Sequence, residues 1–225
     1  MQRSEVVTLN ANPVVLSDPF VFMLNLANGK RVLNVGASGG VEHYFPRHVD
    51  TWLHHRLKKV ASEVVGIDID AESVAFAARH GVKLLLEDCE TCQLDRAFDL
   101  IVMSDVIEHV NAPFQAIKNL ARHLSPGGRL LITTPNPTHY GLVVRAWFSS
   151  HTHVYYDHVS AFLPEHFQVM GNRLGLSMND VVFFSHLDTR SMSNHMKSRL
   201  ARLLGRLLPR CHGSFMVVLQ AKGRT

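Results

Sequence analysis

Residues 31–40 read RVLNVGASGG, an apolar run that passes directly into a cluster of glycines. Similar short apolar runs recur at 63–67, 82–86, 98–103 and 129–133, and stretches with helical spacing lie between them. Continuous rather than alternating apolar runs are typical of strands buried on both faces, as in a parallel sheet covered by helices. The sequence therefore predicts an α/β fold, a Rossmann-like doubly wound sheet with helices on both faces.

The chain downstream of these runs changes character. Residues 135–160 are rich in aromatic residues and histidine and have no clear periodicity. A helix is predicted over 164–173, and two final strands over 181–184 and 215–220. We expect the sheet to be mostly parallel, with an antiparallel C-terminal strand. A basic helix is predicted at about 193–208.

We expect one domain over residues 30–225, preceded by an arm and a helix in residues 1–29. Asp18 followed by Pro19 is typical of a helix start, because Asp caps free N–H groups and Pro needs none. The helix is predicted over 20–27, and residues 1–16 are expected to form an irregular arm.

The composition is that of an ordinary globular protein, with 46% hydrophobic and 19% charged residues among 225. No apolar run approaches the roughly 18–20 residues of a membrane span, and the first residues lack the apolar core of a signal peptide. We therefore expect a cytoplasmic protein. The formal charge of +4 is too mild to indicate a nucleic-acid partner.

Three cysteines cannot form a disulfide framework. Cys89 and Cys92 form a single CxxC, whereas a structural zinc site normally needs four ligands. We interpret the pair as small residues in a strand-to-helix turn.

Polar residues follow each of the first four strands. Glycines 36, 39 and 40 allow positive φ angles and let a ligand lie against bare backbone. Asp68 and Asp70 end the second strand, where a carboxylate faces the ligand crevice of a doubly wound sheet. Asp70 is placed to cap the next helix, so Asp68 is our candidate for the ribose hydroxyls. Asp88 ends the third strand, and SDVIEH ends the fourth.

In this order the segments RVLNVGASGG, VVGIDIDAESVAFA, LLEDCETCQL, FDLIVMSDVIEHV and LSPGGRLLITTPNP resemble the successive motifs of class I S-adenosylmethionine-dependent methyltransferases. The resemblance covers roughly residues 30–185 and is closest to the small-molecule group, of type 11 and 23. It implies an S-adenosylmethionine cofactor, S-adenosylhomocysteine as its product, and a substrate-covering segment at about 135–165.

The resemblance also implies site residues. Gly36 to Gly40 would pass under the methionine part of the cofactor, Asp68 would hold the ribose, and Ser104 would lie near the methionine amino group. His109 would line the floor near the transferred methyl. The full predicted cofactor set is Asn34, Gly36, Ala37, Ser38, Gly40, Asp68, Ile69, Asp88, Cys89 and Ser104.

Two positions depart from the family's pattern. Asn34 stands where an acid is usual, and Ser38 stands where a glycine is usual. Asn34 carries no charge for the cofactor's ammonium group, so a catalytically degenerate binding or scaffold protein is an alternative. A nicotinamide-dependent oxidoreductase is another, although GASGGV breaks the GxGxxG spacing. The long stretch after Gly40 is either a flap, with Trp52 and His54 touching the cofactor, or surface packing.

Methyl transfer mainly needs alignment of donor and acceptor, and an acceptor hydroxyl also needs a proton acceptor. Histidine suits that role. The candidates are His109, His153 and His158, of which we favour His158 because Asp157 precedes it. A metal site built from His151, His153, Asp157 and His158 is the alternative, but we expect no metal, since the spacing is irregular.

Residues 190–210 contain six Lys or Arg and no acid. The predicted helix at 193–208 is either a core-facing helix with a solvated basic side or a contact for an anionic membrane surface. We predict methylation of a small-molecule, glycan or lipid-linked saccharide acceptor at oxygen, with no nucleic-acid partner.

Overall fold

The computed structural model describes residues 6–149, 154–185 and 207–221, together with residues 203 and 205. Strands in this part of the chain form one mixed sheet: β1 (Pro13–Val15), β2 (Arg31–Val35), β3 (Glu63–Asp68), β4 (Leu85–Leu86), β5 (Phe98–Ser104), β6 (Leu124–Pro135), β7 (Leu176–Phe184) and β8 (Ser214–Ala221). Their order is β1-β7-β8-β6-β5-β2-β3-β4. Strand β8 runs antiparallel to β6 and β7, and the other pairs are parallel.

Six α-helices have described bounds: α1 (Pro19–Ala27), α2 (Leu53–Val60), α3 (Ala71–Arg79), α4 (Pro113–Ala121), α5 (Tyr140–Phe148) and α6 (Pro164–Arg173). Leu203 and Gly205 are also helical. Short 3-10 helices lie at Val41–His43, Val49–Thr51 and Pro209–Cys211. No helix in the described part of the chain is both long and apolar enough to span a membrane.

Both faces of the sheet are covered, as the continuous apolar runs predict. In β2, Val32 belongs to an apolar cluster with Met23 of α1 and Leu57 of α2. Its neighbour Leu33 belongs to the cluster on the other face, with Ile117 of α4. The predicted fold class, with its antiparallel C-terminal strand, is confirmed.

Several local predictions are wrong. Residues 13–15 are not irregular but form β1, which pairs in parallel with β7 at the sheet edge. Only two residues of the predicted strand 82–86 are paired. The sequence also predicts a helix over residues 112–124, stopped by the Ser-Pro-Gly-Gly sequence that follows. In the structure this helix ends at Ala121, and Ser-Pro-Gly-Gly lies inside β6.

Helix α1 begins as predicted, since the Asp18 carboxylate accepts a hydrogen bond from the Phe20 N–H at 2.9 Å. Helix α5 was not predicted. None of its residues is buried, so its sequence lacks the alternation of apolar and polar positions that marks a helix with one buried face. Most of the predicted basic helix 193–208, and both His151 and His153, lie outside the described residues.

Candidate active site

The glycine turn connects β2 to the first 3-10 helix in a conformation that requires glycine. Gly36 and Gly40 have φ angles of 68° and 67°, which L side chains rarely adopt. A Cβ atom on Gly36 would lie 2.3 Å from Cγ2 of Val106, which follows β5. The turn is therefore packed directly against the segment that ends the neighbouring strand.

Asp68, at the end of β3, is bonded to the same turn. One carboxylate oxygen, Oδ2, accepts from the Ser38 N–H at 2.9 Å and from the Ser38 hydroxyl at 2.6 Å. The other, Oδ1, accepts from the Asp70 N–H at 3.0 Å. Since a carboxylate offers about four acceptor positions, Asp68 keeps one of them for a ligand. Asp70 itself caps α3, as expected, through the Glu72 N–H.

Trp52 and His54 lie beneath the turn rather than over it. Both are buried, and the Trp52 indole donates to the Ala37 carbonyl at 2.9 Å. Nδ1 of His54 lies 3.3 Å from the amide nitrogen of Asn34. Burial lowers the pKa of His54 to about 4, so the ring is neutral at pH 7. The flap and the surface-packing interpretations are both wrong, because these side chains form part of the core that supports the turn.

The remaining predicted cofactor residues lie at neighbouring strand ends. Ile69 is 71% exposed beside Asp68. Asp88 accepts from the Glu90 N–H at 2.8 Å and so shapes the turn after β4. Cys89 and Cys92 are buried there, and the Asn119 amide donates to both of their carbonyls.

Burial raises the pKa of the Cys89 thiol to about 12, and burial also raises that of Cys92. Protonated, buried thiols are poor nucleophiles. The CxxC lies in the turn after β4, where Asn119 binds its carbonyls.

Glu108 is the residue that sequence reasoning missed. It is 1% exposed, and Oε2 accepts from the Thr134 hydroxyl of β6 at 3.0 Å. Its other oxygen, Oε1, is buried without a hydrogen-bond partner among the described residues. Burial raises the pKa of this carboxyl to about 7. The Glu-His pair in the sequence pointed to this place, but only the burial shows that the acid is unusual.

His109 and His158 meet beside Glu108. Their rings are perpendicular, with centroids 4.7 Å apart. Nδ1 of His109 lies 3.1 Å from the Asp157 carbonyl and 3.2 Å from its carboxylate. Both partners are acceptors, so Nδ1 carries the proton and Nε2 of neutral His109 is the basic nitrogen. Asp157 thus orients His109 and not, as we had expected, His158.

Ser104 ends β5 close to this cluster in sequence and shares a hydrogen bond with the Thr133 hydroxyl at 2.9 Å.

Glu108, His109 and His158 also offer ligand atoms that lie within 4.8 Å of one another, an arrangement that could hold a metal ion. The site therefore has two neighbouring parts, a turn with an acceptor position at β2 and β3, and a group of titratable side chains after β5.

The chain is similar to known methyltransferases. The chain is 33% identical over 133 residues to phosphoethanolamine N-methyltransferase 3 of Arabidopsis thaliana, a match that covers 52% of this chain and 25% of that protein. It is 31% identical over 173 residues to the mitochondrial ubiquinone biosynthesis O-methyltransferase of Rattus norvegicus, covering 68% and 46%. The matches thus span half or less of these relatives' lengths.

The fold matches that of the N-methyltransferase NodS from Bradyrhizobium japonicum WM9, solved in complex with S-adenosylhomocysteine. The TM-score is 0.54 at 14% identity, and the match covers 90% of this chain and 85% of that one. A model of the methyltransferase domain family matches residues 12–180. The chain therefore belongs to the methyltransferase domain family, of the class I S-adenosylmethionine-dependent type.

Proposed function

We propose that the protein transfers a methyl group from S-adenosylmethionine to a hydroxyl group of a small-molecule, glycan or lipid-linked acceptor and releases S-adenosylhomocysteine. One observation carries the proposal: a buried carboxyl and two histidines converge at the segment after β5, whose Val106 packs against Gly36 of the glycine turn. A hydroxyl acceptor must lose its proton, and this is the chemistry that such a cluster can assist.

The residues at the turn fit the cofactor. A Cβ at Gly36 would collide with Val106, so bare backbone lines this position. Asp68 keeps one acceptor position for a ribose hydroxyl, and Ile69 offers an exposed apolar side chain beside it. Ala37, Ser38, Gly40, Asp88 and Ser104, with the main chain of Cys89, complete the proposed cofactor set, and Asn34 contributes from beneath the turn. When bound, S-adenosylmethionine supplies an activated methyl group on a sulfonium centre.

Ser38 has a defined part in this scheme. Its hydroxyl is turned onto Asp68, and the side chain is 3% exposed. Ser38 donates two hydrogen bonds to the Asp68 carboxylate and the Asp70 N–H donates a third, so Asp68 can accept a single further hydrogen bond. Asn34 lies buried below the turn and contacts His54, so its role is to support the turn from beneath.

His109 is the proposed proton acceptor. Asp157 fixes the proton on Nδ1 and leaves Nε2 free to accept a proton from the acceptor hydroxyl. His158 packs on the His109 ring and helps to hold it. Glu108 has a pKa near neutrality and can exchange a proton with the same group of side chains.

Replacing each histidine tests this scheme. His109→Gln should lower kcat by about 100-fold and leave the affinity for S-adenosylhomocysteine unchanged, because only proton removal is lost. His158→Gln should have a smaller effect, and the exposed His48→Gln is the matched control. Unchanged turnover in His109→Gln would remove it from the mechanism. Acceptor pairs that differ only in a hydroxyl or an amino group distinguish O- from N-methylation.

A divalent cation is the second candidate, since Glu108, His109 and His158 could bind one together. Dialysis against a chelator separates the two schemes. Proton transfer predicts unchanged turnover after dialysis, whereas a loss that an added metal restores would assign these side chains to metal binding. A membrane contact through residues 193–208 stays a proposal.

A further inference from the structure

Helix α5 presents an apolar surface to solvent. Its sequence, YGLVVRAWF, contains one charged residue, Arg145, and none of its nine residues is buried. Trp147 and Phe148 at its end are 74% and 85% exposed. Scattered exposed apolar residues are ordinary, but a whole apolar helix left uncovered marks an interaction site.

The next described stretch continues this character. Val154, Tyr155 and Tyr156 are all at least 73% exposed. The Tyr155 ring lies 5.0 Å from the ring of His158, and the Tyr155 carbonyl accepts from the His158 N–H at 3.1 Å. We call Tyr140–Phe148 together with Val154–Tyr156 the apolar rim. The rim therefore reaches the proposed active site directly.

The rim itself contains Arg145 and no acid. From His109 to Tyr156 the sequence contains neither Asp nor Glu, and the next acid is Asp157. The whole chain carries a formal charge of +4. Exposed Trp, Tyr and Phe among positive charges are the composition that binds anionic lipid interfaces.

A second copy of the chain is a poorer occupant. Two rims facing each other would bring two copies of Arg145 together, and neither segment of the rim contains an acid to pair with them, so this arrangement opposes association. A lipid surface with anionic headgroups satisfies both the apolar side chains and the charge.

We propose that the apolar rim docks the protein on an anionic lipid surface, with Trp147 and Phe148 entering the interface. The cluster of Glu108, His109 and His158 then lies beside the lipid, where an amphiphilic acceptor can reach it. This last step rests on the proposed function, whereas the docking itself does not.

Flotation of the full chain with lipid vesicles tests the docking. Wild-type protein should float with vesicles of phosphatidylcholine and phosphatidylglycerol and bind less to phosphatidylcholine alone. Trp147→Ser with Phe148→Ser should lower the partition coefficient by about tenfold or more, because two aromatic side chains no longer enter the lipid. The matched control is Val21→Ser with Leu86→Ser, whose side chains are 52% and 54% exposed elsewhere.

The control pair should float like the wild type, and both pairs should keep the wild-type melting temperature and affinity for S-adenosylhomocysteine. Wild-type protein that stays with the aqueous phase, or a rim variant that floats equally well, would overturn the docking. So would a wild-type dimer that the rim variant dissociates, since this would assign the surface to a second copy. Because the readout is binding, it can fail while methyl transfer persists.

Discussion

At the glycine turn, Ala37, Ser38, Trp52 and His54 are all at most 3% exposed and hydrogen bonds join the turn to β3, whereas α5 buries none of its residues. The two regions lie at the same edge of one sheet. One is a buried, hydrogen-bonded turn, and the other exposes its apolar side chains to solvent. The contrast fits the proposed function, in which the buried turn binds the cofactor and the exposed apolar side chains lie on the side of the acceptor.

Gly36 is the position in the glycine turn at which we expect a substitution to destabilise the protein most. Gly36→Ala adds a Cβ at 2.3 Å from Val106 and retains a φ of 68°, so it should lower the free energy of unfolding by about 4 kcal/mol. Gly29→Ala is the matched control, because Gly29 has a φ of 67° with no atom near its Cβ. That variant should lose only about 1 kcal/mol in chemical denaturation. Equal losses would mean that the turn is not packed against Val106.

Glu108 and His54 should make opposite contributions to the pH dependence of stability. Glu108 has a folded pKa of about 7 against an ordinary 4.5, so the stability it contributes below pH 4.5 is lost as the pH rises to 7. His54 has a folded pKa of about 4 against 6.5, so its contribution above pH 6.5 is lost as the pH falls to 4. Each amounts to about 3 kcal/mol, and in the wild type they largely cancel.

Denaturation at pH 4.5 to 7 resolves the two groups. Glu108→Gln should leave a protein whose stability increases with pH across this range, and His54→Gln one whose stability decreases. Parallel profiles for the two variants would contradict the burial of one of these groups.

A smaller effect is expected at Trp52. Trp52→Phe removes the hydrogen bond to the Ala37 carbonyl and should cost about 1 kcal/mol of stability. The affinity for S-adenosylhomocysteine should fall by a few-fold, because the turn is less firmly held. Trp147→Phe, at an exposed position, should change neither quantity. A stable Trp52→Phe with full affinity would show that this hydrogen bond does not hold the turn.

The glycine turn and two helix caps could be predicted from the sequence, because their signals are local. Buried parallel strands leave continuous apolar runs, positive φ angles leave glycines, and Asp18 and Asp70 cap helices next to them in the chain. Such features depend on few long-range contacts.

Features that depend on distant contacts, or that bury no face, could not be predicted from the sequence. Helix α5 has no buried face, and β1 is a three-residue edge strand whose partner, β7, lies far along the chain. The pairing of Asp157 with His109 and the burial of Glu108 also depend on contacts between distant segments. No local pattern carries that information.

Calorimetric titration with S-adenosylhomocysteine tests the central claim most directly. We expect the wild-type protein to bind, Asp68→Asn to bind about tenfold more weakly through loss of the carboxylate, and Glu108→Gln to bind like the wild type. An absence of binding to the wild type, or full affinity in Asp68→Asn, would contradict the proposal that the glycine turn binds the cofactor.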